Sequence, residues 1–407
     1  MAAKIRVLFL QTRSYPWSYT TVHALLMRHF HRERVEVHVA YNPGSRSEPG
    51  TVLSVLEAIP DLHLRQAYFG PKVFDKSIKE ITKAMLISGP RSVVSPLGLV
   101  SYIKKNQIEI IHASHEPRDA AWGAVLARLS GVKYVVHLHA KCGDWMHPVV
   151  HWSMRHADGI LGVSRYGAQA AVEYGYPSSK VHAVLNSVDA SRWDGTADGR
   201  ALREEFALAP DAPLLASIAV HTPWKGTDKL LKAIAMLKDR VPGIKLLIVG
   251  GGRLMDAAGQ RTYIDVLKEM TLELGLSEQV IFTGHRSDIP QIMAACDVFA
   301  MPAFEEPFGL VFLEAMAMRK PVIGLESGGT PEIVEHGKAG LLAPAEDIPA
   351  LAENILTLLT NAALRQQMGA YGRARVEQYF TPQRSADDVE DIYRKVLGKA
   401  LPELPPA

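Results

Sequence analysis

Two glutamates eight positions apart, Glu306 and Glu314, bound a stretch of unusual chemistry: from Gly309 to Met318 every residue except Glu314 is apolar. A helix apolar on all sides is a buried one, and Pro307 suits its first turn, where a missing N–H costs nothing. A lone carboxylate in such a helix is costly unless something hydrogen-bonds to it. A diol, such as a nucleotide's ribose, would supply two donors. The free N–H groups near Phe308–Leu310 and the helix dipole make an anion site suited to a diphosphate, and Gly309 lets that anion approach closely. Glu306 then sits just before the helix and Glu314 about two turns inside it, roughly 12 Å along the axis at 1.5 Å per residue. The pair could bracket a ligand with a sugar at one end and a ribose at the other. The alternative is a solvated Glu306 and a Glu314 paired with an Arg or Lys.

A second cluster lies in HLHAKCGDWMHPVVHW, which brings together His137, His139, Cys142, Asp144, His147 and His151. Positions 137 and 139 share one face of a strand, and this mix of ligand types invites a zinc reading. The spacing matches no finger or zincin pattern, however, so no metal is expected. His137 reads as a satisfied core histidine.

The elements that must position these groups alternate strand and helix in both halves. Strands are predicted at Lys4–Leu10, Glu36–Ala40, Ile108–His112 and Lys133–His139, with helices at Thr21–Phe30 and Asp119–Leu129. The second half repeats the scheme: strands at Leu214–Val220, Lys245–Val249, Gln279–Thr283, Asp297–Met301 and Pro321–Gly324, with helices at Thr227–Leu237 and Arg261–Leu274. Such alternation argues for parallel βαβ units in open, doubly wound sheets. The expected organisation is a domain over 1–190, a linker over 191–213 rich in Gly, Asp, Ala and Pro, and a second domain over 214–384. A helix and tail follow over 385–407, packing back toward the first domain. Two such domains would face each other across a cleft, with ligands at the carboxyl ends of the strands.

Composition is that of a globular chain: 407 residues, 47% hydrophobic and 22% charged, long enough for two domains. Two cysteines allow no disulfide framework, which fits a reducing cytoplasm. The apolar run Val7–Leu10 is too short for a signal peptide, and no apolar stretch is long enough to span a membrane. Residues 1–190 carry 22 Lys and Arg against 14 Asp and Glu, and the remainder 23 against 29. Either the first half meets an anionic partner or the asymmetry is a solvated surface. Lys72, Lys76, Lys79 and Lys83 recur at helical spacing, so a helix there would gather them into one basic stripe, beside an apolar side of Val73, Ile78, Ile81 and Leu86. That pattern suits a peripheral membrane contact and equally a surface helix.

Glu306-PFGLVFL-Glu314 resembles the E-x7-E motif of family 4 retaining glycosyltransferases. LLIVGGG (Leu246–Gly252), QVIFTGHRSDIPQIMAACDVFAMP, GGTPEIVEHGKAGLL, PWKGTDKLLKAI and VLNSVDASRW are similar to further family segments in the same order. The resemblance implies the GT-B fold of two Rossmann-like domains and transfer of a hexosyl unit from a UDP- or GDP-sugar, with retention and without a metal or cofactor. By that resemblance Lys225 contacts the diphosphate, Glu306 the donor sugar and Glu314 the ribose. The N–H groups of Gly309, Leu310 and Val311 hold phosphate, Gly251 and Gly252 let the nucleotide approach, and the Thr283–Arg286 loop flanks the base. His139 corresponds to the family's histidine near the donor sugar.

The family's usual second diphosphate cation, an Arg before the Lys, is missing: positions 219 and 220 are Ala and Val. Either His221, Arg253 or Arg286 stands in, or catalysis is weakened. After the first strand, QTRSYPWSYTT lacks paired glycines, and Tyr19 and Thr20 are taken as acceptor contacts. The acceptor is a glycan, lipid or small molecule. No nucleic acid partner is expected. The rival functions are a GT-B phosphorylase or epimerase, or a non-catalytic nucleotide-sugar-binding partner.

Overall fold

The computed structural model describes residues 4–43, 50–70, 89, 91–193, 195–252 and 261–399. Two sheets form, and every strand pair in both is parallel. The first contains β1 (Ile5–Gln11), β2 (Val35–Tyr41), β3 (Leu62–Gln66), β4 (Ile110–Ser114), β5 (Lys133–Leu138), β6 (Gly159–Gly162) and β7 (Val181–Ala183), in the order β3-β2-β1-β4-β5-β6-β7. The second contains β8 (Leu214–Ile218), β9 (Lys245–Val249), β10 (Val280–Gly284), β11 (Val298–Ala300), β12 (Val322–Leu325) and β13 (Gly340–Ala343), in the order β10-β9-β8-β11-β12-β13. Central strands such as β1 and β4 are buried almost throughout. A parallel strand covered on both faces therefore reads as a continuous apolar run. The order reverses between β1 and β4 in one sheet and between β8 and β11 in the other, which are the switch points where doubly wound sheets open for ligands.

The chain divides into two compact units, Met1–Ser187 with Pro382–Ala407, and Val188–Thr381. In the first unit lie α1 (Ser18–His29), α2 (Val52–Glu57), α3 (Arg91–Lys105), α4 (Pro117–Ser130), α5 (Pro148–Arg155) and α6 (Arg165–Glu173). The second has α7 (Arg200–Glu205), α8 (Thr227–Leu237), α9 (Tyr263–Glu273), α10 (Ile289–Ala295), α11 (Leu310–Ala317), α12 (Thr330–Ile333), α13 (Ile348–Thr360) and α14 (Ala362–Tyr379). The last helix, α15 (Pro382–Leu397), returns to the first unit.

Two expectations change. The segment 191–213 is not a bare linker: it carries α7, and Arg203 ties it to the second unit by donating to the carbonyls of Ala295 and Ala212. The strands β3, β6, β7 and β13 were not foreseen, being short and in part exposed or bounded by glycine. Lys72, Lys76, Lys79 and Lys83, with Val73, Ile78, Ile81 and Leu86, lie outside the described residues. Among the described residues no helix is long and apolar enough to cross a membrane.

α15 is held by one fully buried carboxylate. Glu390 accepts the His31 backbone N–H at 2.7 Å and lies 3.5 Å from an Arg34 guanidinium nitrogen. Glu390→Ala strands those donors. The expected cost is about 1–3 kcal/mol, lowering the unfolding midpoint of the first unit by several degrees in scanning calorimetry. An unchanged midpoint would show that packing and the Ser385 and Tyr393 hydrogen bonds hold the helix without Glu390.

Candidate active site

In the second unit the decisive element is α11. It starts at Leu310, later than Pro307 suggested, because Gly309 turns the chain through a left-handed conformation with φ of 91°. A side chain at 309 would press on the Phe312 ring, so glycine is required twice over. Glu314 is consequently only about one turn inside the helix, about 6 Å along its axis. Phe312, Leu313, Ala315, Met316 and Ala317 are buried. Leu310, Val311 and Glu314 share the remaining face, as their spacing requires, and are only half-buried. Gly309 offers no capping side chain. The N–H groups of Gly309, Leu310 and Val311 find no acceptor among the described residues, leaving the positive end of the helix open.

Among the described residues Glu314 pairs with no Lys or Arg through a hydrogen bond. Burial lifts its pKa to about 7, opposed by the charge of Arg192. Arg192 sits on a 3-10 turn, Ala190–Trp193, that Arg373 fastens to α11 by donating to the carbonyls of Ala190, Trp193 and Ala317 at 3.1, 2.6 and 2.7 Å. The sequence reading missed both arginines, one in linker-like composition and one on a polar helix.

Lys225 and Glu306 come together. A 3-10 turn at Pro223–Lys225 follows β8 and ends at Gly226, whose φ is 70° and whose added Cβ would overlap the Pro302 carbonyl. The Phe304 N–H donates to the Trp224 carbonyl at 2.8 Å. This docking puts the Lys225 Nζ 2.6 Å from Glu306 Oε2 and 4.1 Å above the Trp224 ring. Glu306 is buried, and its carbonyl accepts the Gly329 N–H at 2.7 Å. It is therefore no solvated loop residue.

Two of the three stand-in readings are corrected. His221 is fully buried, with Nε2 on the Val249 carbonyl at 3.1 Å and Nδ1 on the Thr227 hydroxyl at 2.8 Å. Burial lowers its pKa to about 4, so it is neutral and supplies no cation. Arg286 is clamped by Asp288 and by both oxygens of Glu205 at 2.6–2.9 Å, which raise its pKa and spend its charge inside the protein. Gly252 is glycine because a Cβ would strike the Ile264 backbone, whereas Gly251 faces open space. Arg253 lies outside the described residues. Val220, where a cation is missing, is 65% exposed.

In the first unit His139 ends β5, half-buried, with its N–H on His115 Nδ1 at 3.2 Å. Its ring lies 4.3 Å from that of His137 and 5.3 Å from that of His23. Burial pushes the pKa of all these histidines well down, so they are neutral. The acceptor contacts are corrected as well. Thr20 is fully buried, its hydroxyl accepting the Trp17 N–H at 3.1 Å to cap α1. Tyr19 is buried against His23 and His139. His147 caps α5 through Val149, His151 bonds to the Tyr176 hydroxyl, and Asp144 accepts from Tyr174, so none of them joins His137. A buried Asp119, which the sequence reading passed over, accepts the Thr12 N–H at 3.0 Å and the Ser114 hydroxyl at 2.6 Å, fixing the loop after β1.

Residues 198–375 match the family described as glycosyl transferases group 1, and residues 20–192 match glycosyltransferase family 4. A GDP-mannose-dependent alpha-(1-6)-phosphatidylinositol monomannoside mannosyltransferase of Mycobacterium tuberculosis is 31% identical over 285 residues, 66% of this chain and 71% of the relative. The chain belongs to the family 4 glycosyltransferases. The mannosyltransferase of the same name from Mycolicibacterium smegmatis is 34% identical over 265 residues, 61% of this chain and 66% of the relative. HepE of Anabaena, solved with UDP and glucose, shares the fold with a TM-score of 0.76 at 23% identity, over 96% of this chain and 100% of that one. The two parallel sheets are thus those of the GT-B fold, and family membership makes the chain a glycosyltransferase with a nucleotide-sugar donor.

Donor affinity is expected to rise with pH. If Glu314 holds the ribose, as the family resemblance implies, only its carboxylate form can accept both hydroxyls, and burial raises its pKa to about 7 in the free chain. Below that point affinity should fall by up to about tenfold per pH unit, and Glu314→Gln should flatten the profile. Calorimetric titration with a nucleoside diphosphate checks this; parallel profiles for both proteins would remove Glu314 from the ligand.

Proposed function

We propose that the chain is a retaining, metal-independent hexosyltransferase that carries a sugar from a UDP- or GDP-sugar to an acceptor hydroxyl. The observation that supports it most is the Lys225–Glu306 ion pair, with Nζ and Oε2 2.6 Å apart, near the start of a helix whose first N–H groups are unpaired. A diphosphate entering there would draw Lys225 away from Glu306 and fill the N–H groups of Gly309, Leu310 and Val311. Glu306, released, would accept hydrogen bonds from the donor sugar while Glu314 holds the ribose. Gly251 gives the nucleotide room.

In the transfer step the bond from the anomeric carbon to the leaving phosphate oxygen breaks. The acceptor oxygen bonds to the same face of that carbon, and its proton passes to the departing phosphate. The protein orients the partners and stabilises the diphosphate as charge develops on it. Lys225 and the helix start supply the positive field that Mg²⁺ supplies elsewhere. The relatives' names make GDP-mannose the first donor to try, with UDP-glucose second.

Lys225→Ala is expected to weaken donor binding by about 1.5–3 kcal/mol, or about ten- to 150-fold, with the fold intact by circular dichroism. Turnover should persist in EDTA, with the donor's anomeric configuration kept in the product by NMR. Unchanged affinity in the variant, or activity lost in EDTA and restored by Mg²⁺, would overturn the reading.

The first unit is proposed to hold the acceptor, anionic or membrane-borne, at the inner face of a membrane. Its excess of Lys and Arg supports this, as do Val93, Val94 and Leu97, which share one exposed face of α3. Relatives named for phosphatidylinositol acceptors point the same way. Basic residues near an anionic leaflet contribute about 1 kcal/mol each, so binding should be reversible and salt-sensitive. Failure to co-sediment with anionic vesicles at low salt would exclude the membrane-borne version.

A further inference from the structure

His23 on α1, His112 on β4, and His137 and His139 at the end of β5 meet inside the first unit, with neighbouring ring centroids 4.3–5.5 Å apart. Their polar atoms are not accounted for. His23 Nε2, His112 Nε2, His139 Nε2 and both nitrogens of His137 are buried with no hydrogen-bond partner among the described residues. Buried polar atoms are almost always paired, so five unmatched nitrogens in one place ask for an occupant.

The surroundings suggest what it is. His23 Nδ1 is held by the Gln11 side-chain amide at 3.0 Å, and His112 Nδ1 by the Tyr393 hydroxyl at 2.6 Å. A ligating imidazole donates its outer N–H, so with the Gln11 amide turned to present its oxygen to Nδ1–H, His23 Nε2 is left free to bind a metal. One nitrogen each from His23, His137 and His139 lies within 4.8 Å of the other two. We propose that these three histidines bind a transition metal ion of the zinc class, with the fourth position left to solvent. Three imidazoles without a carboxylate or thiolate suit zinc and its neighbours, and offer nothing to the oxygen-seeking Mg²⁺ or Ca²⁺. Tetrahedral bonds of about 2.0–2.1 Å would set the ligand nitrogens about 3.4 Å apart, so the ion draws the rings slightly inward. Tyr19, with its ring 6.0 Å from that of His139 and its buried hydroxyl also unpaired, is a ready partner for the bound solvent.

Such an ion would pin α1 to the end of β5 and fix the His139 ring. The site lies wholly in the first unit; it includes His139 but none of the donor-binding groups of the second unit, and the donor reading concerns Mg²⁺ on a diphosphate. The 137–151 spacing hid it because one ligand, His23, comes from far upstream.

The full chain, stripped with a strong chelator and titrated with Co²⁺, should develop visible ligand-field bands that saturate at about one equivalent and vanish on adding Zn²⁺. Elemental analysis after zinc loading and gel filtration should give about one ion per chain, with a raised unfolding temperature. His23→Asn and His137→Asn should each weaken binding at least about tenfold, while His147→Gln should not. Absence of cobalt bands and of retained zinc in the wild-type chain overturns the proposal whether or not the variants fold, as does full zinc retention in both folded variants. Donor binding is read separately by calorimetry, so failure of either reading leaves the other standing.

Discussion

A helix that begins without a cap must find partners for its first N–H groups elsewhere, and α11 begins this way because Gly309 turns left-handed in front of it. The surrounding second unit is arranged around that opening. Gly226 allows the Lys225 turn to seat against Pro302 and Phe304. Ser327 and Gly329 hold the backbone of Glu305 and Glu306, and Arg373 secures the turn that carries Arg192 near Glu314. None of these contacts supplies an acceptor to the N–H groups of Gly309, Leu310 and Val311 among the described residues. Together they keep a lysine, a carboxylate and a helix dipole close while the face of Leu310, Val311 and Glu314 stays accessible.

The charges there are quiet in the free protein. Lys225 and Glu306 neutralise each other, Glu314 is half protonated at neutral pH, His221 is uncharged and Arg286 is spent on Glu205 and Asp288. A buried pair of this kind contributes little to stability beyond the cost of desolvating it. On the proposed reading its worth is as a latent cation that an incoming dianion would claim. With Val220 where a second cation is missing, the account leans on Lys225 and the helix start more heavily than a doubly clamped site would.

Much of this was legible in the sequence because apolar periodicity and turn residues agree locally. α8 and β9 fall where the pattern placed them, bounded by Gly226 and by the glycines after Val249. The apolar run around Glu314 also located a largely buried helix, Leu310–Ala317. What the sequence concealed depended on longer-range constraints. Pro307 signalled a helix start, but the conformation of Gly309 overrode it by three residues. His221 stood at a strand end where a cation was wanted, yet β9 and α8 enclose it and take both nitrogens. Thr20 looked like a ligand and proved to be the cap of α1. Arg192, in Gly- and Asp-rich sequence, and His23, far from β5 along the chain, are placed by tertiary contacts that no local pattern announces.

The central claim is that the uncapped start of α11 and Lys225 together receive a diphosphate. A crystal structure of the chain with a bound nucleoside diphosphate tests it most directly. The account predicts phosphate oxygens on the N–H groups of Leu310 and Val311, Lys225 Nζ turned from Glu306 to phosphate, and both ribose hydroxyls on Glu314. A diphosphate bound elsewhere, with the Lys225–Glu306 pair intact, would contradict it.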